Sequence, residues 1–386
     1  MSLPALVEPG PPLAPHRAAR FARHLTLPGV GDLGQRRLAA ARVLVIGAGG
    51  LGAPAIQYLA AAGVGRLTVI DDDHVEVSNL QRQVLHTYGD LGRAKAESAR
   101  SAVVLRDGEV EVVALVERLD PGNALALFRE HDVVLDGSDN FATRYLSNDA
   151  AELTGTPLVW GSVHQFAGQI SVFWPGRGPM LRDLFPEIPD ADSIESCATG
   201  GVFGVLCGSV GSAMAAEALK LLCGIGEPLI GRLVRYDALS ARWDELRFDA
   251  DPDRPPVVDL EEVAVACRAL APRVRADGIS AGEVAARLDH GTAGLVIVDV
   301  RTAAERETSA IVGSVHVPLA RVLDEGWEVL AMALGESAVD GRDIVVTCQG
   351  GIRSARAIDA LADSAPAGTS LRNLDGGMDA YLALPQ

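Results

Sequence analysis

The sequence predicts two α/β units: a larger one on a mostly parallel sheet with an antiparallel extension, then a smaller one. Three observations predict it. Short aliphatic runs alternate with helix-like stretches between residues 42 and 136, the pattern of a parallel sheet with crossover helices. After about residue 156, strand-like runs follow one another with few helices between them. An acidic, proline-rich stretch, Asp249-Ala250-Asp251-Pro252-Asp253-Arg254-Pro255-Pro256, then precedes a second strand–helix alternation. For 386 residues two domains are expected. The expected bounds are a flexible lead-in at 1–17, a first domain at 18–248, a linker at 249–273 and a second domain at 274–386.

In order, residues 42–46 (R-V-L-V-I) read as a buried strand and run straight into Gly47-Ala48-Gly49-Gly50-Leu51-Gly52. Residues 53–63 are alanine-rich and helical, and 66–70 form a second strand ending at Asp71-Asp72-Asp73. This unit has the size of a strand–helix–strand crossover. Residues 91–105 read as a helix, 110–115 as a strand, 123–129 as a helix, and 132–136 as a strand leading to Gly137-Ser138-Asp139-Asn140. Residues 157–160, 168–174, 232–236 and 242–248 read as strands extending the same sheet antiparallel. Residues 201–222 form a long helix of small residues, suited to close packing. In the second unit Ser280-Ala281-Gly282-Glu283 is a capping-box pattern. Residues 295–300 and 343–347 are buried strands, the latter running into Cys348, and 354–362 are helical.

Composition narrows the function. No run of 18 residues is purely apolar, so no membrane span is expected. The proline-rich start lacks the basic and apolar segments of a secretory signal. Five cysteines, an odd number without C-x-x-C spacing, read as thiols of a cytoplasmic protein and give no support for a cysteine zinc site. A net charge of −17 argues against a general nucleic-acid surface.

The glycine loop between a strand and a helix lets backbone N–H groups approach a phosphate at a helix N-terminus. Gly47, Gly49, Gly50 and Gly52 are therefore nucleotide-binding candidates, and Asp71 stands where an acid would accept from a ribose. Dehydrogenases share this much. A triphosphate needs fixed cations and usually Mg²⁺ as well. Arg82 and Lys95 follow the ribose acid, and Asp139, at a predicted strand end, is placed to hold the metal.

These residues carry a resemblance. Arg20-Phe21-Ala22-Arg23, the glycine loop, D-D-D at 71–73, S-N-L-Q-R-Q at 78–83, G-R-A-K at 92–95 and D-G-S-D-N at 136–140 resemble the MoeB/ThiF branch of the ubiquitin-activating-enzyme superfamily over about residues 18–248. The resemblance implies a Rossmann-like fold and ATP-dependent adenylation of the C-terminal Gly-Gly carboxylate of a ubiquitin-like protein. It implies Arg82 and Lys95 on the phosphates and Mg²⁺ on Asp139. Asp73, Ser78, Asn79 and Asn140 would line the nucleotide site, and Arg23 would reach into a partner subunit's site in a homodimer. Relatives often carry two C-x-x-C pairs on structural zinc. Here those stretches read Pro179-Met180-Leu181-Arg182-Asp183 and Phe248-Asp249-Ala250-Asp251, so no zinc is expected. The zinc-free form fused to the second unit resembles the actinobacterial MoeZ type. Cys197 precedes the long helix, where a helix N-terminus favours thiolate. The resemblance matches it to a cysteine able to link covalently to the carrier's C-terminus; a buried inert thiol is the alternative.

Cys348-Gln349-Gly350-Gly351-Ile352-Arg353 joins a strand to a helix. Consecutive N–H groups there form an anion nest, reinforced by the helix dipole, which stabilises an anionic persulfide. Arg353 would attract an anionic sulfur donor. With Ile297-Val298-Asp299-Val300-Arg301, Gly313-Ser314-Val315-His316-Val317-Pro318 and Leu374-Asp375-Gly376-Gly377, the loop resembles a rhodanese domain from about residue 274 to the end. Related phosphatases use a loop one residue longer. Asp299 and Arg301 are expected as a buried ion pair holding the loop.

The expected function is bifunctional. A MoaD-, ThiS- or CysO-like carrier would be adenylated, and Cys348, loaded by thiosulfate or a cysteine desulfurase, would deliver sulfur to give a thiocarboxylate. The alternatives are an enzyme conjugating a ubiquitin-like modifier through a Cys197 thioester, an NAD-dependent oxidoreductase and a non-catalytic adaptor. No nucleic acid or membrane partner is expected.

Overall fold

The computed structural model describes residues 4–188, 201–264, 277–289, 295–335, 342–362, 364–366 and 368–384. The chain divides into two compact units, Met1–Leu270 and Ala271–Gln386.

The first unit is an eight-stranded sheet: β1 (Arg42–Ile46), β2 (Arg66–Ile70), β3 (Glu111–Leu115), β4 (Val133–Asp136), β5 (Leu158–His164), β6 (Ala167–Phe173), β7 (Arg232–Asp237) and β8 (Arg242–Arg247). The spatial order is β3-β2-β1-β4-β5-β6-β7-β8. Strands β3 to β5 in that order pair parallel, and β5 to β8 pair antiparallel. The mostly parallel sheet and its antiparallel extension thus stand as expected. The first five strands are apolar because helices cover both faces. Along β1, Val43 and Val45 enter one core with the helices Gly52–Ala61 and Gly204–Cys223, while Leu44 and Ile46 enter the other with Ala124–Glu130 and Phe141–Thr154.

Register places the site. Ile46 pairs with both Ile70 and Asp136, so β1, β2 and β4 end level and their following loops share one sheet edge. The order reverses direction between β1 and β4, the switch point where open α/β sheets bind ligands.

Helix Gly204–Cys223 is long and apolar enough to cross a membrane by length and composition. Leu206, Val210, Met214, Ala218, Leu221 and Leu222 are instead buried in the unit's own core. It packs so closely on the glycine loop's helix that a Cβ at Gly211 would lie 2.3 Å from the Leu51 carbonyl oxygen.

Three expectations change. Residues 5–10 are not a free lead-in, because Leu6 and Val7 pack on the core and Leu6 N–H donates to Leu221 O at 3.2 Å. The helix expected at 91–105 starts at Lys95, because Gly92 turns the chain at φ +77° and its N–H donates to Val75 O at 2.9 Å. The start of the expected linker is docked: Leu260 and Val263 are buried in the first unit's core, and Arg254 Nε donates to Asp183 Oδ1 at 2.7 Å.

The second unit has five strands, β9 (Asp277–Ile279), β10 (Leu295–Asp299), β11 (Val315–His316), β12 (Asp343–Thr347) and β13 (Ser370–Leu374), all parallel in the order β11-β10-β12-β13-β9. The central β12 is buried on both faces and ends at Cys348, from which the helix Ile352–Ala362 departs. Ser280 Oγ accepts from Glu283 N–H at 3.2 Å, opening the helix Ala281–Asp289.

Candidate functional sites

The glycine loop is held by its second residue. Ala48 N–H donates to Asp71 Oδ2 at 2.7 Å, and His86 Nε2–H donates to Ala48 O at 3.0 Å. His86 Nδ1 then accepts from Ser98 Oγ at 2.8 Å, which ties the loop to the helix Lys95–Arg106. Burial, and less strongly Lys95, hold His86 below its ordinary pKa, which suits this neutral tautomer. Gly47 turns at φ +84°, and a Cβ at Gly52 would lie 1.8 Å from the Gly47 carbonyl oxygen. That approach admits only glycine. Gly49 and Gly50 N–H donate to no group among the described residues.

Around this open backbone the structure gathers the expected charges. Lys95 is buried at the first turn of its helix, with Nζ 2.8 Å from Asp73 Oδ2. Asp73 is exposed, so its carboxylate can give way to a phosphate. Arg82 donates Nη1–H to Ser78 O at 2.9 Å, and its Cδ lies 3.8 Å from the position a Cβ at Gly50 would take. Asp71 spends both oxygens on N–H groups, the second from Asp73 at 2.8 Å. Burial pushes its carboxyl up, against the pull of Lys95 and these bonds. Ser78 and Asn79 build a tight turn: Ser78 Oγ donates to Glu76 Oε2 at 3.3 Å, and Asn79 Oδ1 accepts from Glu76 N–H at 3.2 Å.

Asp139 and Asn140 stand on the loop after β4, beside Gly47, whose added Cβ would lie 3.4 Å from the Gly137 oxygen. Asp136 is fully buried and accepts Ser138 N–H at 2.9 Å, which fixes this loop. Asn140 caps the helix Phe141–Thr154 by accepting Thr143 N–H at 2.9 Å. Asp139 is exposed and makes no hydrogen bond or ion pair among the described residues. Arg23, on Ala22–Leu25, is likewise exposed. Cys197 lies outside the described residues.

Sequence reasoning missed three groups here. His86 and the buried Gln83, whose Oε1 has no hydrogen-bond partner among the described residues and whose side chain abuts Gly49, sit in or beside S-N-L-Q-R-Q; their adjacency to that motif was the available signal. Arg144 gave none. It lines a cavity of about 580 Å³ with Phe141, Trp160, Gln169 and Phe185. Its guanidinium carbon lies 4.9 Å from the Phe141 ring centroid and 5.9 Å from that of Trp160. Its Nε and the Trp160 Nε1 have no hydrogen-bond partner among the described residues.

The two stretches that replace the cysteine pairs are joined by ions. Asp183 accepts Met180 N–H at 2.6 Å, Asp251 N–H at 3.2 Å and Arg254 Nε–H at 2.7 Å. Arg254 also pairs with Glu152 at 3.1 Å. Among the described residues no cluster of three or more His, Cys, Asp or Glu could hold a metal.

In the second unit Cys348 is buried, and its Sγ accepts Gly351 N–H at 3.1 Å. Ser354 Oγ lies 3.3 Å from Sγ and 3.0 Å from Gly351 O, so its single proton serves one of them at a time. Gln349 and Gly350 N–H donate to no group among the described residues. Arg301 and Asp299 form the expected buried pair, with Nε to Oδ1 at 3.0 Å and Nη2 to Oδ2 at 2.8 Å. Arg301 Nη1 also donates to Gln349 Oε1 at 3.0 Å, which holds the loop. Arg353 does not stand free: Glu305 takes both of its terminal nitrogens, at 2.9 and 2.5 Å.

Open N–H groups at a switch point, beside the buried Lys95 and the partly exposed Arg82, define an E1-like nucleotide-binding domain, and a strand-end cysteine in an N–H nest defines a rhodanese domain. The chain belongs to the ThiF family: that family's model matches residues 21–256, and the Rhodanese-like domain model matches residues 280–384. The chain is 45% identical over 368 residues to the Mycobacterium tuberculosis protein named "Probable adenylyltransferase/sulfurtransferase MoeZ", covering 93% of this chain and 92% of that one. It is 52% identical over 241 residues to the Thermus thermophilus sulfur carrier protein adenylyltransferase, covering 61% of this chain and 89% of that one. A crystal structure of E. coli MccB with MccA-N7isoASN shares the fold at TM-score 0.56 and 20% identity, covering 62% of this chain and 74% of that one.

Proposed function

We propose that this bifunctional adenylyltransferase and sulfurtransferase activates the C-terminal glycine carboxylate of a ubiquitin-like sulfur carrier ending in Gly-Gly, then converts it to a thiocarboxylate. One observation carries the reading: a single chain holds an open, cation-ringed backbone nest and a cysteine in a second nest.

A C-terminal carboxylate is ionised at neutral pH, so no general base is needed. Its attack on the α-phosphorus of ATP brings anion to anion. Lys95 and Arg82 oppose that repulsion, and pyrophosphate leaves. ATP fits the loop: Gly49 and Gly50 N–H have no partner among the described residues, and the side-chain amide of Gln83 lies against Gly49 with its Oε1 likewise unpartnered among them, so the loop offers both donors and an acceptor. Mg²⁺ fits Asp139, the exposed carboxylate at the β4 end, where bound metal neutralises phosphate charge. The apolar cavity beside Arg144 accommodates the carrier's tail on its way to Asp139.

In the second step the terminal sulfur of a Cys348 persulfide attacks the acyl carbon and AMP leaves. The resulting acyl disulfide is cleaved by a thiolate, from Cys197 or an external reductant. The carrier departs as thiocarboxylate and Cys348 remains in a disulfide with that thiol. The open N–H groups of Gln349 and Gly350 support an anionic sulfur beyond Sγ. A cytoplasmic homodimer, with Arg23 serving the partner subunit's site, belongs to the same reading, supported by the exposure of Arg23.

The test is incubation with ATP, a sulfur donor and a panel of Gly-Gly-ending carriers, followed by intact-mass analysis. A carrier with sulfur in place of one oxygen is expected. Pyrophosphate exchange without sulfur gain in any carrier would refute the second half of the reading.

A further inference from the structure

The cation expected to recruit an anionic donor to Cys348 is already bound. Glu305 grips Arg353 through both oxygens, and it is itself fixed: its Oε2 accepts Thr302 N–H at 3.0 Å and Thr302 Oγ–H at 2.8 Å. This capping box anchors Glu305 to the start of the helix Ala303–Thr308. The remaining charges bring no positive surplus. Arg301 is paired with buried Asp299, Arg306 lies 3.6 Å from the same carboxylate, and Asp379 Oδ1 accepts from Gln349 Nε2 in the loop.

We propose that Glu305 selects the sulfur donor: by neutralising Arg353 it disfavours dianionic thiosulfate and favours a donor that is itself a persulfide. The proposal rests on the sulfur-transfer reading and names the donor class for that site.

Both donors balance. With thiosulfate, the Cys348 thiolate forms a bond to the outer sulfur, the S–S bond breaks, and sulfite leaves with the electron pair. With a persulfide, the same attack on the terminal sulfur expels a thiolate. The two differ in charge at the mouth. Thiosulfate brings two negative charges toward a thiolate, and a persulfide brings one at most. Only an uncompensated Arg353 offsets the larger repulsion.

The experiment measures kcat/KM for loading Cys348 of the full chain from thiosulfate and from cysteine persulfide, read by intact mass. Glu305→Gln is expected to raise the thiosulfate-to-persulfide ratio about tenfold, the effect of removing one nearby charge. Adding Arg353→Ala should cancel that gain. If Glu305→Gln does not fold, Thr302→Val, which loosens Glu305 without touching Arg353, should raise the ratio about twofold. An unchanged or lower ratio overturns the assignment of Glu305. If the wild-type chain takes sulfur from neither probe, the sulfur-transfer reading falls and this proposal with it.

Discussion

The glycine loop and the cysteine loop share one plan and differ in how their charge is left. Each follows a buried parallel strand, each leads into a helix, and each keeps two N–H groups without a partner among the described residues, Gly49 and Gly50 in one, Gln349 and Gly350 in the other. In the first, the counter-ion of Lys95 is the exposed Asp73, which can be displaced. In the second, the counter-ion of Arg353 is Glu305, pinned by Thr302. The same backbone device therefore yields an open receptor for a polyanion in one unit and a charge-compensated thiol site in the other. The comparison separates sharply by mutation. Cys348→Ala should abolish thiocarboxylate formation and leave ATP–pyrophosphate exchange intact. Lys95→Ala should slow exchange by about 10²- to 10³-fold, as loss of a charge-stabilising donor does, and leave Cys348 loading intact. Loss of both activities in either variant would break the division of labour.

The next largest effect is structural and confined to the first unit. Asp183 holds three donors that join the two stretches where relatives carry metal-binding cysteines. Removing it leaves Arg254, largely buried, with Glu152 as its one remaining carboxylate among the described residues. Asp183→Ala should cost about 3 kcal/mol, read as a lowered midpoint in urea for the first unit's transition. A chelator should leave the wild-type midpoint unchanged; a drop would reveal a metal cross-link instead of an ionic one.

A smaller effect tests how the glycine loop is held. His86→Ala leaves the Ala48 carbonyl without its imidazole donor and cuts the tie from the loop to Ser98 Oγ. The expected cost is about 1–3 kcal/mol, together with a raised KM for ATP and an unaltered rate of Cys348 loading. The cysteine loop is held by several groups instead: Asn373 Nδ2–H donates to Gly351 O at 3.0 Å, and Gln349 is fixed by Arg301 at 3.0 Å and by Asp379.

The strands leading into both loops were legible because a strand buried on both faces must be continuously apolar. Residues 42–46, 66–70 and 343–347 were read to the residue. The reacting groups were legible where sequence spacing encodes them, as with the glycine loop and Cys348. Helix Phe141–Thr154 was not among the expected elements; its sequence signal is Asn140, the N-cap whose side chain accepts Thr143 N–H. Arg144 and Glu305 were missed for a different reason. Each is completed by a partner brought up by folding: Trp160 from β5 joins the local Phe141 at Arg144, and Arg353 comes to Glu305 from 48 residues away. No local pattern records such a contact.

The smallest expected effect follows from titration and again divides the two units. His131 in the first unit is buried, with Nδ1–H donating to Leu127 O and Nε2 accepting from Thr68 Oγ1, both at 2.7 Å. Burial outweighs its other influences and holds it below the ordinary 6.5. The unfolded chain therefore binds a proton that the folded chain resists. The contribution of neutral His131 is present above pH 6.5 and is lost as pH falls below it. Glu305 is also held low, but by pairing instead of burial. Burial pushes its carboxyl up, but bonds from Arg353 and Thr302 overcome that and hold it at about 2 against an ordinary 4.5. Its contribution is present above pH 4.5 and fades as pH falls toward 2. With partial exposure screening the pair, it is on the order of 1 kcal/mol. The stability gap between wild type and His131→Gln should thus narrow between pH 7 and 5. The gap for Glu305→Gln should stay constant over that range and close only below about 4.5. Urea midpoints at pH 7, 5 and 3.5 measure both. A Glu305 gap already closing at pH 5 would mean that its carboxylate is not held by Arg353, and the contrast between a displaceable and a pinned counter-ion would be lost.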